Sequence, residues 1–225
     1  MQDSWSAKAL AILIIYALFA QLIGYYFSAE WLREGDFRGL WVLVRIVIPL
    51  VLLPLIGIPL SKLFLGMPRF DRGSLFATGI SIAVLALLFV YLNGFGDDYL
   101  SHYRRGQGLE QLRAQGRFGQ FMVFTLSTMT GWEFLHRGVL LGGVLYCLRQ
   151  YMDTPEKTAI VVAVLVVCIF EVLFHIKKPM YESFPFIPAS ILLSWLTIRT
   201  GSLWPAMLLH FSIELNFAFA AYVGL

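Results

Sequence analysis

The stretch TAIVVAVLVVCIFEVLFHI, residues 158–176, decides how this chain folds. It is close to the ~20 apolar residues that a helix needs to cross a bilayer core, and Glu171 and His175 are its only acidic or basic residues. Four positions apart, they share one helical face. Each ionisable side chain at the centre of a bilayer costs about 2.5–3.5 kcal/mol on insertion scales, so such residues turn inward and mark a functional site by default. The stretch therefore predicts a membrane helix with its polar face toward other helices.

Similar apolar runs lie outward from it, at 7–27, 40–65, 74–93, 119–148, 187–199 and 202–223. Together they predict an all-α, polytopic transmembrane bundle of about seven helices, the sixth of them short, forming a single domain over 1–225. The run from Ala7 to Phe27 reads as a retained first helix, because it is too long for the apolar part of a leader. Pro49, Pro54 and Pro59 should kink the second helix, and Arg45, one turn before Pro49, is placed to snorkel or pair. The polar stretch 94–118, with Tyr99, Tyr103, Leu109 and Leu112, reads as a surface amphipathic segment before the fourth span. KKPMYESFPFIP, residues 177–188, reads as a structured turn between the fifth and sixth spans.

Composition agrees with a membrane class. The 225 residues are 59% hydrophobic and 14% charged, and the mean hydropathy is +0.74, more apolar than a water-soluble surface tolerates. A net charge of +3 without a block of like charge gives no footprint for nucleic acid. The expected partner is the lipid bilayer, and the expected location is an integral, multi-pass position in a bacterial-type plasma membrane. Lys and Arg divide almost evenly between the two sides, so orientation does not follow from them. Cys147 and Cys168 fall within apolar runs and read as small core residues. Trp5, Trp31, Trp41 and Trp204 fall near span ends, where amphipathic rings prefer to sit.

Three helical runs each carry a glutamate and a histidine on one face: Glu133 with His136, Glu171 with His175, and His210 with Glu214. In TGWEFLHRGVLLGG, residues 130–143, Glu133 and Arg137 are also four apart and able to pair, while Gly138, Gly142 and Gly143 permit close helix contact. Cleaving a peptide bond needs a base for water, donors for the oxyanion and a proton for the leaving amine. On this chemistry Glu133 or Glu171 is the base, His175 its partner, His210 an oxyanion donor or acid, and Arg137 an electrostatic anchor.

GWEFLHRGVLLGG, the intramembrane His175 ahead of a Lys-Pro turn, and TGSLWPAMLLHFSIE together resemble the CAAX prenyl endopeptidase and Abi (CPBP) family of intramembrane glutamic proteases. The resemblance covers 119–225. The family's first motif is a pair of glutamates followed by Arg and Gly; Glu133, Arg137 and Gly138 match it, and Trp132 stands in the leading glutamate's place. The second is a Phe four residues before a His; His175 matches and Glu171 replaces the Phe. The third is a His four residues before an Asn; His210 matches and Glu214 replaces the Asn. The resemblance implies an endopeptidase acting on a membrane-embedded or prenylated protein. In its mechanism the leading glutamate and the second-motif histidine activate water, and the last motif stabilises the oxyanion. Catalytic candidates are thus Glu133, Arg137, Glu171, His175, His210 and Glu214, with no cofactor expected.

Two other readings fit the same residues. Glu133-x-x-His136 has the spacing of helical-bundle carboxylate metal sites, and Glu171, His175, His210 and Glu214 would complete a set for iron, manganese or zinc. Alternatively, the scaffold is non-catalytic and its polar residues bind a membrane-protein partner.

Overall fold

The computed structural model describes the backbone of residues 2–34, 41–69, 71–93, 118–176 and 180–223, and the side chains over most of 7–23, 41–87 and 126–215. Among these residues every regular element is helical. α1 spans Gln2–Glu34; α2 covers 41–55, with a π-helical stretch at Leu43–Val47 running into Ile48–Leu55; α3 spans Arg72–Asn93. α4 is a continuous helical run, Phe118–Glu133, Phe134–Gly142 and Gly143–Tyr151, with its middle part π-helical. α5 is Glu156–His175, α6 Met180–Thr200 and α7 Trp204–Val223.

α1 extends past both ends of the apolar run 7–27, to Gln2 and Glu34, and two further boundaries differ from those read in the sequence. The second apolar run stops being α-helical at Leu55: Gly57 takes a left-handed φ of 82°, and the Gly57 and Ile58 amides donate to the carbonyls of Pro54 and Leu53 at 3.0 and 2.9 Å. These are the two bonds that close a helix on a left-handed glycine, and Pro59 just beyond prevents continuation. A short 3₁₀ turn, Leu60–Lys62, follows. α6, in contrast, starts at Met180 and runs through Pro185 and Pro188, so most of the segment read as a turn is helix. The amphipathic reading of 94–118 falls almost wholly outside the described residues.

α5 is, among the described residues, the one helix both long and apolar enough to cross a membrane; shorter apolar helices lie at Ala7–Ile23, Leu43–Leu55 and Arg72–Leu87. All-helical architecture is therefore what the fold itself establishes.

α4 occupies the centre. Its Leu135, Val139, Leu140 and Leu141 pack with Leu13 and Ala17 of α1, Leu53, Ile58, Leu63, and Ala163 and Val167 of α5. The glycines of α4 make this possible: a Cβ on Gly142 would lie 2.4 Å from the Lys62 carbonyl oxygen, and one on Gly143 would lie 2.9 Å from Leu13. Cys147 and Cys168 are free and buried in the interior. A smaller core joins Ala77 and Leu85 of α3, Leu193 and Leu196 of α6, and Ala206 of α7.

The loop after α2 is stitched to the α6–α7 turn, which fixes where α7 starts. The Arg69 amide donates to the Thr200 carbonyl (2.8 Å), the Leu203 amide to the Phe64 carbonyl (2.9 Å), and the Ser202 hydroxyl to the Gly66 carbonyl (2.6 Å). Trp204, exposed as its place near a span end suggests, donates its indole N–H to the Leu65 carbonyl at 3.3 Å. Trp41 does not sit as an interfacial ring; it is buried beneath Arg45.

Candidate active site

The π-helical middle of α4 brings Glu133 and Arg137 inside the bundle, both without solvent exposure. As the four-residue spacing predicts, the Arg137 Nη1 donates to Glu133 Oε1 at 3.2 Å. Arg137 then reaches across to α5 and clamps both carboxylate oxygens of Glu171, with Nη1 on Oε1 and Nη2 on Oε2, the latter at 3.0 Å. This two-pronged contact is the geometry a guanidinium favours for a carboxylate. Trp132, in the place of the family's leading glutamate, donates its indole N–H to the same Glu171 Oε1 at 2.8 Å.

His210 joins from α7, its Nδ1 2.5 Å from Glu133 Oε1. Its Nε2 looks toward Glu214 Oε1, 4.0 Å away, and Glu214 is the more exposed of the two carboxylates beside this ring. Two carboxylates and one guanidinium leave an excess negative charge in the cluster, and His210 is the group placed to offset it. Such buried ions persist only when each is paired.

The oxygens of the two central carboxylates differ sharply. Glu171 accepts three donors over both oxygens. Glu133 Oε1 is shared by Arg137 and His210, whereas Glu133 Oε2 is buried and, among the described residues, has no hydrogen-bond partner. A carboxylate oxygen in that state has an open acceptor position, the feature required to hold a water or a transferable proton.

His175 is 2% exposed and lies beside the cluster. Its Nδ1 donates to the Glu171 backbone carbonyl at 2.7 Å, which makes Nε2 the acceptor nitrogen of the neutral ring. The predicted Glu171–His175 pairing thus runs through the backbone, because Arg137 holds the carboxylate. The His175 ring stacks on Phe186 of α6 at 3.7 Å, stands edge-on to Trp132 at 5.8 Å, and Phe186 in turn lies 5.9 Å from His210. Phe186 therefore sits between the two histidines and fixes their spacing.

His136, the remaining histidine of the three pairs, is set apart. Its Nδ1 donates to the Trp132 carbonyl at 2.8 Å, and its Nε2 accepts from the Gln21 side chain of α1 at 2.7 Å. Gln21 also donates to the Phe170 carbonyl at 3.2 Å. With both ring nitrogens engaged, His136 locks α1 to α4 and does not join Glu133.

This arrangement does not fit the iron, manganese or zinc set. Arg137 stands between Glu133 and Glu171, His136 is committed elsewhere, and among the described residues no three His, Cys, Asp or Glu side chains converge as a metal-binding group.

Gln21, Trp132 as a donor, Phe186 and Arg45 were not singled out as site residues from the sequence. Gln21 was visible as an uncharged polar residue deep in the first apolar run, and Trp132 as the substitution in the first motif. Phe186, between two prolines, carried no signal.

By fold and site the chain falls in the class of all-helical proteins built around a buried Glu–Arg–Glu–His cluster. Residues 114–215 match the family model of the Rce1-like type II CAAX prenyl endopeptidases, a stretch that contains Trp132, Glu133, Arg137, Glu171, His175 and His210. No curated protein and no solved structure matches the chain.

Proposed function

We propose that the protein is an intramembrane endopeptidase that hydrolyses a peptide bond in a membrane-embedded or prenylated protein, with Glu133 as the base. The observation that carries the reading is the open, buried Oε2 of Glu133, beside a Glu171 whose oxygens are filled. Of the two glutamates left open by the sequence, this favours Glu133.

In the proposed reaction a water donates to Glu133 Oε2 and attacks the amide carbonyl. The carbon–oxygen bond forms, the carbon–nitrogen bond breaks, and the proton taken up by Glu133 passes to the leaving nitrogen. His175 Nε2 is the second acceptor that orients the water. His210 supplies a donor to the oxyanion or relays that proton from Glu133 to the amine, and Glu214 lies beside its far nitrogen. Arg137 keeps the two carboxylates in register without touching substrate.

A bilayer setting, multi-pass and of bacterial plasma-membrane type, belongs to the same proposal. Its support is the outward apolar faces of several helices, among them Ile15 on α1, Leu55 on α2, Leu87 on α3 and Val161, Leu165 and Ile169 on α5, all more than half exposed. Exposed apolar faces of this kind mark surfaces that meet a membrane or another protein.

The test is cleavage of a fluorogenic farnesylated peptide by the purified protein in detergent. Glu133→Gln is expected to lower kcat by about 10²–10⁴-fold in protein that a thermal unfolding transition in detergent shows to be folded, its midpoint lowered by the loss of a buried charge. A Glu133→Gln protein that cleaves at the wild-type rate removes Glu133 from the role of base.

A further inference from the structure

Arg45 of α2 is 1% exposed, and among the described residues none of its three guanidinium nitrogens meets an acceptor. Its Cζ lies 3.1 Å from the centroid of the Trp41 ring and 5.1 Å from that of Trp132. Its stem lies across Gly131 of α4, where an added Cβ would come within 3.4 Å of Arg45 Cβ and Cδ. The aromatic faces compensate part of the charge. Five N–H donors remain without an acceptor, and the burial penalty of an unpaired ion exceeds what a cation–π contact returns. The sequence expectation that Arg45 snorkels or pairs is met by neither.

The position is built by the chain. Pro49 has no N–H to give the Arg45 carbonyl, and the helix widens to π geometry over Leu43–Val47, with the Ile48 amide reaching back to the Leu43 carbonyl. The Tyr16 hydroxyl of α1 donates to the Val44 carbonyl within the same stretch. π-helical turns inside helices are frequent at functional sites. Here the turn aims a guanidinium at Trp132, whose indole N–H holds Glu171.

We propose that Arg45 is an oxyanion-binding residue of this site and receives a carboxylate carried by the peptide that Glu133 and His210 act on. A planar guanidinium fork matches a carboxylate with two parallel hydrogen bonds. A lipid headgroup phosphate offers the same chemistry, but the place one aromatic ring from the Glu–Arg–His cluster favours an anion on the molecule being processed. That the anion belongs to the processed peptide rests on the peptidase reading; the anion site itself does not.

The experiment uses the full chain in dodecyl maltoside, stripped of phospholipid. Equilibrium binding of N-dodecanoyl-leucine, of its amide and of dihexanoyl phosphatidic acid is followed by tryptophan fluorescence, since Trp41 and Trp132 flank Arg45. The carboxylate is expected to bind wild type about 10–100-fold tighter than the amide, as for a charge-assisted pair. The preference should vanish in Arg45→Met and survive in part in Arg45→Lys. Equal binding of acid and amide to wild type overturns the proposal without any variant, which covers the case that Arg45→Met does not fold. An acid preference that persists in Arg45→Met also overturns it, by locating the anion elsewhere. Phosphatidic acid binding tighter than the carboxylate, and lost in Arg45→Met, replaces the peptide with a lipid headgroup. Absence of peptidase activity beside an intact Arg45-dependent preference would refute only the hydrolytic reading, and cleavage without the preference would refute only the anion site.

Discussion

Glu171 and Glu133 are chemically identical side chains in the same cluster, and their partners give them different work. Glu171 carries the bidentate Arg137 contact and the Trp132 indole bond, so it acts as the fixed anion that anchors the guanidinium. The Glu171→Gln protein should lose about 3–5 kcal/mol of stability, the usual cost of removing one member of a buried pair, read as a lower thermal midpoint in detergent. An unchanged midpoint would mean that Arg137 finds its compensation elsewhere. Trp132 adds a neutral donor to that anchor: its indole N–H holds the carboxylate that α5 brings in. This division was only half legible. The Glu133–Arg137 pair follows from four-residue spacing within one helix, whereas the Glu171 carboxylate leaving His175 for Arg137 depends on how α5 sits against α4.

At the level of elements, the helix ends carry local signals that hold in the folded chain. Asp71 precedes α3 and its Oδ1 accepts from the Ser74 amide at 2.7 Å, capping the first turn. That bond, with the nearby Ser74 hydroxyl and the Arg199 charge, holds the exposed Asp71 carboxyl below the ordinary carboxylate range. A depressed folded pKa means that the cap's contribution is fully present above the unfolded value of about 3.9 and is lost as pH falls through the folded value. Asp71→Asn should therefore flatten the acid side of the stability profile, measured as thermal midpoint against pH between about 2 and 5, while leaving the neutral side little changed. A profile that keeps its acid slope would show that other carboxyls carry it. The end of α2 was also partly written in its Gly57 and Pro59. The early start of α6 was not, because Pro185 and Pro188 signal a turn locally yet lie inside the helix.

For the whole molecule, the family match spans 114–215, yet the first helices complete the structure around it. Leu13 and Ala17 fill the core against α4, Gln21 holds His136, and Arg45 meets Trp132. The outward aliphatic faces lead to an expectation for the intact chain: after alkaline carbonate treatment of membranes it should stay in the pellet. Release into the supernatant would overturn the multi-pass reading.

The sequence by itself determined the helical class, the approximate places of the helices, the buried status of the cysteines, and the candidate side chains. These follow from apolar run length and from the 3.6-residue period, which are properties of single segments. Only the tertiary structure decided that Arg137 bridges Glu133 and Glu171, that His210 bonds Glu133, that His136 turns to Gln21, and that Arg45 is buried with no hydrogen-bond acceptor among the described residues. Each of these joins residues on different helices or records the absence of such a join. Helical period fixes the face on which a side chain lies; the facing helix and its rotation decide what it meets.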